Sequence, residues 1–291
     1  GSEKGSTGAE NGTVTITGST DGVTVTVAVI TYPGSDYYHG FTSLADAIEF
    51  AKAGDVVTLI RDITASDIIT INKAITFDGN DKTLTSSAGR AINVSGADGV
   101  TIKDLTINAS GERAINVIQN ATNVTIDNVT ATAANYTVNV AASAPNAVVA
   151  ISNSTLNGLC TVNVAAAGAD VTIDNSTVNC NDNNTTVGES YAALSLNKDA
   201  VGASIDATST TINVTEGSDS MKGRNGAENG TVTINGSTDD VTVMVAAITY
   251  AGSNYYYAFA TLEEAIEFAK ADDMVTLIRD ITASEIVTIN K

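Results

Sequence analysis

The sequence predicts an all-β fold, a right-handed parallel β-helix with an N-terminal capping helix, on two observations. The first is a short signature, Val-Thr-Ile or Val-Ala-Ile, that returns about every 22 to 25 residues from Val100, Val124, Val149 and Val171. The second is that each period contains three short apolar strands without a hairpin-type turn between them. We therefore expect each period to form one coil, whose strands pair in parallel with those of the next coil.

The third strand of each period places two apolar residues around one polar residue, which is typical of a strand with one buried face. Because successive coils lie about 4.8 Å apart, equivalent residues stack into columns. We expect two inward columns to form the core: Ile92, Ile115, Val138, Val162 and Leu194, and beside them Val94, Val117, Val140, Val164 and Leu196.

Asparagine occupies the first bend of three successive coils, at Asn128, Asn153 and Asn175. An amide side chain both donates and accepts, so stacked amides can pair with each other and with the backbone groups that a tight bend leaves unpaired. We predict that these three residues form a structural ladder in the interior of the bend.

An amphipathic helix precedes the first coil. Thr42 or Ser43 can cap its N-terminus, and Gly54 ends it. The open end of a solenoid exposes apolar core and strand edges, so a terminal unit needs a cover. Ile48 and Phe50 are expected to cover the core.

The chain contains a tandem repeat, since residues 226–291 repeat residues 8–73 at an offset of 218 with roughly three-quarters of positions identical. The second cap helix retains Ile266 and Phe268, which we expect to be buried against the first unit or against their own segment. The expected organisation is strands and a linker at 1–41, a helix-capped β-helix at 42–220, and the start of a second copy, with its cap helix and first coil, at 221–291.

A polar stretch at residues 216–225 separates the two copies. It leaves two arrangements open: a rigid stack in which the second copy covers the last coil, and a flexible linker between units that fold independently.

The segments FTSLADAIEFAKAGDVVTLIRDIT and ITINKAITFDGNDKTLT, with the later Val-Thr-Ile coils, carry a resemblance. They resemble β-helix modules common in large surface proteins of Gram-positive and related bacteria, members of the wider pectate-lyase-like superfamily. The resemblance covers roughly residues 30 to 215. It implies the fold and a surface location rather than a particular activity.

Charge and composition exclude some partners. The net charge of −19 makes nucleic acid and anionic membranes poor partners, because binding either needs clustered Lys and Arg. No apolar run approaches the roughly 18 residues of a transmembrane helix, so no membrane insertion is expected. Cys160 and Cys180 fall on neighbouring coils, and both a disulfide and two free thiols are open.

The outward side of the third strands presents a column of polar residues. An enzyme of this architecture needs carboxylates or a basic residue there, and amides are neither general acids nor bases. Glu112 and Arg113 lie close by and are more simply explained as a surface pair. We therefore predict no catalytic residues, and the column is a candidate ligand-binding surface for sugar hydroxyls or a ladder that stabilises itself: Asn93, Asn116, Asn139 and Asn163.

The last coil contains an insertion between Cys180 and Tyr191. Its Asp182 and Glu189 are a speculative calcium site, although the segment lacks the spacing of a dedicated calcium loop and a solvated loop explains it more simply. We expect no other cofactor.

The expected function is a non-catalytic structural repeat of a secreted, wall-attached bacterial surface protein, a stalk or adhesin. Its expected partners are neighbouring repeats of the same chain and a glycan or protein receptor. The alternatives are a carbohydrate-binding module and, less favoured, a β-helix polysaccharide lyase or glycosidase.

Overall fold

A computed structural model describes residues 4–32, 37–186, 188–249, 256–282 and 286–289. Its main body is a parallel β-helix of about seven turns, which confirms the predicted all-β fold. The two helices described are α1 (Leu44–Phe50) and α2 (Leu262–Phe268). The strands before the insertion are β1 (Gly5–Thr7), β2 (Val23–Val25), β3 (Ala28–Thr31), β4 (Tyr38–Phe41), β5 (Val56–Leu59), β6 (Ile63–Ala65), β7 (Ile69–Ile71), β8 (Thr76–Ser86), β9 (Arg90–Ser95), β10 (Thr101–Ala109), β11 (Arg113–Ile118), β12 (Val124–Thr132), β13 (Tyr136–Val140), β14 (Val148–Ser152), β15 (Thr155–Gly158), β16 (Val162–Val164), β17 (Asp170–Asp174) and β18 (Thr177–Cys180).

The strands after the insertion complete the solenoid and add a small antiparallel sheet. They are β19 (Ala192–Leu196), β20 (Ser204–Thr208), β21 (Thr211–Val214), β22 (Met221–Asn225), β23 (Thr231–Ile234), β24 (Val241–Val243), β25 (Ala246–Thr249), β26 (Tyr256–Phe259) and β27 (Met274–Leu277).

The coils stack in register. One eight-stranded sheet holds the third strands in the order β24-β22-β19-β16-β13-β11-β9-β7, all paired in parallel. A 14-stranded sheet holds the first and second strands of the coils, with β3 and β4 joined to its N-terminal end in antiparallel pairing. Parallel strands need crossovers, and here each crossover is the rest of the coil.

The two predicted core columns are confirmed. Ile115 pairs in register with Ile92 and Val138, and the column continues through Val162 to Leu194. Every residue of both columns is fully buried. Burial of each aliphatic side chain is worth about 1.5–3 kcal/mol relative to exposure, so these columns contribute much of the stability.

The predicted interior ladder at the first bend is wrong in its location. Asn128, Asn153 and Asn175 are exposed, and their φ angles of 52°, 51° and 45° lie in the left-handed region. Asparagine tolerates this conformation better than most residues, which explains its recurrence. The ladder is also only partial: Asn175 Nδ2 donates to Asn153 Oδ1 at 2.8 Å, whereas Asn153 donates to Asp127 and not to Asn128.

Hydroxyl groups, not amides, occupy the interior of the same bend. Ser154, Ser176 and Thr210 are buried, and each directly follows a residue with positive φ. Ser154 Oγ accepts from the backbone N–H of Val129 at 3.1 Å, and Ser176 Oγ accepts from that of Ser154 at 3.0 Å. These hydroxyls satisfy the N–H groups that the bend turns away from the strand ladder.

Helix α1 covers the N-terminal end of the solenoid with part of the predicted surface. Ser43 caps it, accepting from the N–H of Asp46 at 3.4 Å, and Ile48 is buried in the core as predicted. Phe50 is 48% exposed, so its expected role in covering the core is wrong. Its ring instead packs on those of His39 and Phe41 at centroid distances of 5.0 and 5.3 Å.

The second copy begins as a continuation of the solenoid. β22 pairs with β19, and β23 pairs with β20, so the polar stretch at 216–225 contains a complete strand of the solenoid, β22. Beyond β24 the chain forms an antiparallel sheet of β25, β26 and β27 on which α2 packs. Ile266 and Phe268 are half-buried, and Phe268 packs within this segment against Tyr257 and Phe259.

We predict that replacing Asn153 by Leu destabilises the protein by about 1–2 kcal/mol, because leucine is strained at φ 51°. Asn153→Gly is the matched control, since glycine adopts positive φ readily and should change the free energy of unfolding by less than about 1 kcal/mol. Urea unfolding measures both. Equal losses in the two variants would assign the role of Asn153 to its amide and not to its backbone.

Candidate functional site

The polar column on the third strands is a continuous hydrogen-bonded ladder. Asn116 Nδ2 donates to Asn93 Oδ1 at 2.9 Å, and Asn139 Nδ2 donates to Asn116 Oδ1 at 2.7 Å. Asn163 Nδ2 donates to Asn139 Oδ1, also at 2.7 Å. These three amides therefore point their donors toward the N-terminal end. The in-register pairing of the strands that carry them produces this ladder.

Three of the four amides are inaccessible, although the ligand-binding alternative requires an open face. Asn116, Asn139 and Asn163 are only 1%, 3% and 4% exposed, and Asn93 alone is half-buried. Their side chains point away from the core columns, but other side chains cover them. A flat array that binds sugar hydroxyls needs exposed amides, so this geometry favours the alternative in which the column stabilises itself.

Glu112, Arg113 and Tyr136 form part of the cover. Arg113 donates to Asn116 Oδ1 at 3.4 Å and to Glu112 Oε1 at 3.1 Å, and its guanidinium lies 5.4 Å from the ring centroid of Tyr136. Burial raises the pKa of Tyr136 well above its ordinary value. The Glu112–Arg113 pair therefore lies over the ladder and is bonded to it through Arg113.

The C-terminal end of the column is closed by residues from the second copy. Arg224 donates from Nε and Nη2 to Ser195 Oγ at 3.1 and 2.9 Å, and Ser195 occupies the next position of the column. Tyr256 Oη accepts from the N–H of Lys198 at 3.0 Å, and Lys198 Nζ lies 5.5 Å from its ring centroid. Burial raises the pKa of this phenol as well.

A second amide ladder, which the sequence analysis missed, runs along the second strands. Asn179 Nδ2 donates to Asn157 Oδ1, and Asn213 Nδ2 donates to Asn179 Oδ1, both at 2.8 Å. Its signal was present, because the three residues stand in equivalent positions of consecutive coils. Stacked amides are thus a repeated structural device of this solenoid.

The two proposed calcium ligands in the insertion have different surroundings. Asp182 is buried, and its carboxylate accepts from the N–H of Asn184 at 3.0 Å and from that of Tyr191 at 2.7 Å. Asp182 therefore holds the two ends of the loop together, and Glu189 lies half-buried on that loop. Among the described residues, no group of three or more His, Cys, Asp or Glu side chains is arranged to hold a metal ion, and calcium binding here stays a prediction.

Both cysteines are buried free thiols. Cys160 Sγ lies 3.9 Å from Asn163 Oδ1, at the end of the amide column, and Cys180 Sγ donates to the Leu159 carbonyl at 2.9 Å. Burial is the main cause that raises the pKa of each thiol. Of the two open alternatives, the structure has the free thiols.

The joint between the two copies contains both backbone hydrogen bonds and a shared apolar core. The N–H groups of Gly226, Thr231 and Asn235 donate to carbonyls of the preceding coil at 3.0, 3.0 and 2.6 Å. Ala227, Val232 and Ile234 are buried in the same core as the first unit. The candidate functional site is therefore this joint, a surface on which one unit stacks on the next.

Arg279 fastens the antiparallel segment to the joint. It donates to the carbonyls of Met244, Asn225 and Ala227 at 2.8, 3.2 and 3.0 Å. Arg61 is the equivalent residue of the first copy and donates in the same way to Thr26 and Ala9. Neither arginine was predicted from the sequence, although Arg61 and Arg279 stand at equivalent positions of the two copies.

Comparison of the chain with protein families, with curated proteins and with solved structures found no match. Within the described ranges, no helix has the length and apolar character that crossing a membrane requires.

We predict that Asn139→Ala lowers the free energy of unfolding by about 1–3 kcal/mol, because it leaves the buried Asn163 amide without its acceptor. Asn93→Ala is the matched control at the half-exposed end of the same column and should cost less, about 1 kcal/mol or below, since water can replace the lost partner. Urea unfolding at constant pH distinguishes them. Equal effects would mean that water reaches the whole column.

Both thiols should react slowly with a disulfide reagent such as DTNB at pH 8. The thiolate is the reactive form, and a raised pKa lowers its fraction at a given pH, so reactivity rises only at more alkaline pH than for an exposed cysteine. Unfolding in urea should release two reactive thiols. No thiols after unfolding without reductant would instead demonstrate the disulfide.

Proposed function

We propose that this chain is a non-catalytic structural repeat of a secreted, wall-attached bacterial surface protein, a stalk or adhesin. In it, the first coil of each unit pairs in parallel with the last coil of the unit before it. The observation that carries the proposal is the pairing of β22 with β19 and of β23 with β20 across the boundary between the two copies. A unit that serves as an extended scaffold needs such a joint, because the length of a stalk depends on units that do not fold back on one another.

The continuity of the core across the boundary supports a rigid joint. Ala227, Val232 and Ile234 belong to one buried cluster with Leu196 and Ile205 of the last coil. A flexible linker would leave these apolar groups in water, and their burial favours the stacked form. The polar stretch at 216–225 is correspondingly anchored: the Ser220 hydroxyl donates to the Asp182 carbonyl at 2.7 Å.

The surface chemistry is consistent with an extended scaffold. A net charge of −19 keeps long assemblies soluble and repels them from one another. The outward amides, which would serve the carbohydrate-binding alternative, are largely buried and paired with each other. Attachment to the cell wall and the identity of a receptor belong to the proposal and rest on the resemblance of the repeat sequence.

Proteins with one, two and three full tandem units should lengthen by a constant increment per unit in small-angle X-ray scattering. A rigid stack grows linearly, whereas flexibly linked beads grow more slowly, as roughly the square root of their number. A variant with a flexible Gly-Ser insert after Gly217 is the control, since it breaks the anchored stretch and should shorten the three-unit protein. If the three-unit protein were equally long with and without the insert, that result would contradict the rigid stack.

The proposed location predicts that antibodies against this chain label intact bacterial cells that produce it. Permeabilisation should not increase the labelling, and protease added to whole cells should remove it. Labelling that appears only after permeabilisation would contradict a surface role.

A further inference from the structure

Residues 5–25 build a coil that the chain builds a second time in a different environment. Residues 8–25 and 226–243 differ only at Thr17, which is Asn235 in the second copy, and at Gly22, which is Asp240. Both copies form the same pairs: Gly5 with Val23, and Gly223 with Val241. The two coils therefore show nearly the same sequence in two settings, with and without a neighbouring coil on its N-terminal side.

The apolar residues of this coil are buried only where a preceding coil lies against them. Ala227 is 0% exposed and Val232 is 1% exposed, since both belong to the same buried cluster as Leu196, and Val232 pairs in register with Ile205. Their equivalents in the first copy differ: Ala9 is exposed and Val14 is half-buried. The difference marks the surface from which a preceding coil is missing among the described residues.

An aromatic residue repeats this contrast. Tyr256 receives a hydrogen bond from the N–H of Lys198 in the preceding coil, and its ring lies under the Lys198 ammonium. Its equivalent, Tyr38, is 56% exposed. A tyrosine that supplies both a ring and a hydroxyl to a neighbouring unit is a common anchor of protein interfaces.

The space for a preceding coil is also preformed. A side chain at Gly230 would approach Leu196 Cδ1 to 2.9 Å, so this glycine makes room for the leucine of the last coil. Gly12 is the equivalent residue, and Ala9 lies beside it as Ala227 lies beside Gly230. A strand edge with matching apolar positions is a template for another strand.

We propose that the N-terminal face of this chain, formed by residues 5–25 with Tyr38, docks the last coil, residues 192–214, of a second copy of the same unit. The inference rests on the proposed function and deepens it, since it names the partner and the surface. The contact repeats the joint that residues 221–243 make within the chain, with strand pairing between β1 and the partner's β19.

One substitution between the copies sets the strength of this contact. Arg224 donates twice to Ser195 Oγ in the joint within the chain, but the first copy has Ser6 at that position. Docking of a second copy through residues 5–25 therefore lacks these charge-assisted bonds. In the wild-type chain the last coil is already covered by residues 221–243, which are tethered to it at high effective concentration, so wild-type chains stay monomeric.

Releasing the last coil in the 291-residue chain tests the proposal. Ala227→Arg places a charge at a fully buried site of the joint, and Thr231→Pro removes the N–H that donates to the Ala203 carbonyl. Analytical ultracentrifugation over a hundredfold concentration range should detect head-to-tail dimers and longer chains for both variants. Circular dichroism checks that the solenoid is retained.

The matched control acts on the other side of the contact. Ala9→Arg alters an exposed residue and should leave the melting temperature of the single variant unchanged. Added to Ala227→Arg in a double variant, Ala9→Arg should abolish the assembly. Ser6→Arg in the Ala227→Arg background restores the missing donor and should raise the association constant by about tenfold.

Two results would overturn the inference: both release variants staying monomeric, or the double variant with Ala9→Arg assembling as strongly as Ala227→Arg alone. Failure of the proposed function has a different signature. If the joint within the chain were not stacked, the wild-type protein would assemble as strongly as Ala227→Arg, and Ala9→Arg would still abolish it. That outcome would support the docking surface and contradict the rigid tandem stack.

Discussion

The structure depends on one constraint, the in-register parallel pairing of each strand with its equivalent one coil away. Because the register holds, Ile115 lies between Ile92 and Val138, and Asn116 lies between Asn93 and Asn139. The same spacing thus packs aliphatic side chains on the inside and brings amides within hydrogen-bond distance on the outside. A slip of one residue in any coil would exchange these two columns and place amides in the core.

The same constraint extends across the sequence boundary between the two copies. A parallel solenoid has two unsatisfied ends, and each end requires something that continues or terminates its strands. Here the C-terminal end is continued by β22, β23 and β24, and Arg279 then ties the antiparallel segment to that coil. Leu277 is 49% exposed although its equivalent Leu59 is fully buried, since Leu59 lies beneath the following coil. The cap region is thus completed only by the coil that follows it.

The sequence predicted what depends on the period and missed what depends on non-local cover. The core columns follow from alternation and spacing, both of which are visible in the chain. The exposure of Asn153 could not be foreseen, because asparagine is favoured both by a left-handed backbone and by a ladder of stacked amides. The φ angle of 51° identifies the left-handed backbone as a reason for asparagine at this position. The burial of Asn139 and Asn163 was missed for another reason: alternation assigns them to the outward side of the strand and does not show what covers that side. The contribution of Arg224 was missed because the equivalent residue of the first copy is Ser6.

Hydrogen exchange at the joint tests the central claim most directly. The N–H of Thr231 donates to the Ala203 carbonyl as that of Ser204 donates to Ala169, one coil earlier, at 3.0 and 2.8 Å. If the second copy continues the solenoid, the two amides should exchange with protection of the same order in the native protein. Fast exchange of Thr231 beside a well-protected Ser204 would contradict it, because the joint would then be open and the units would be separate bodies on a linker.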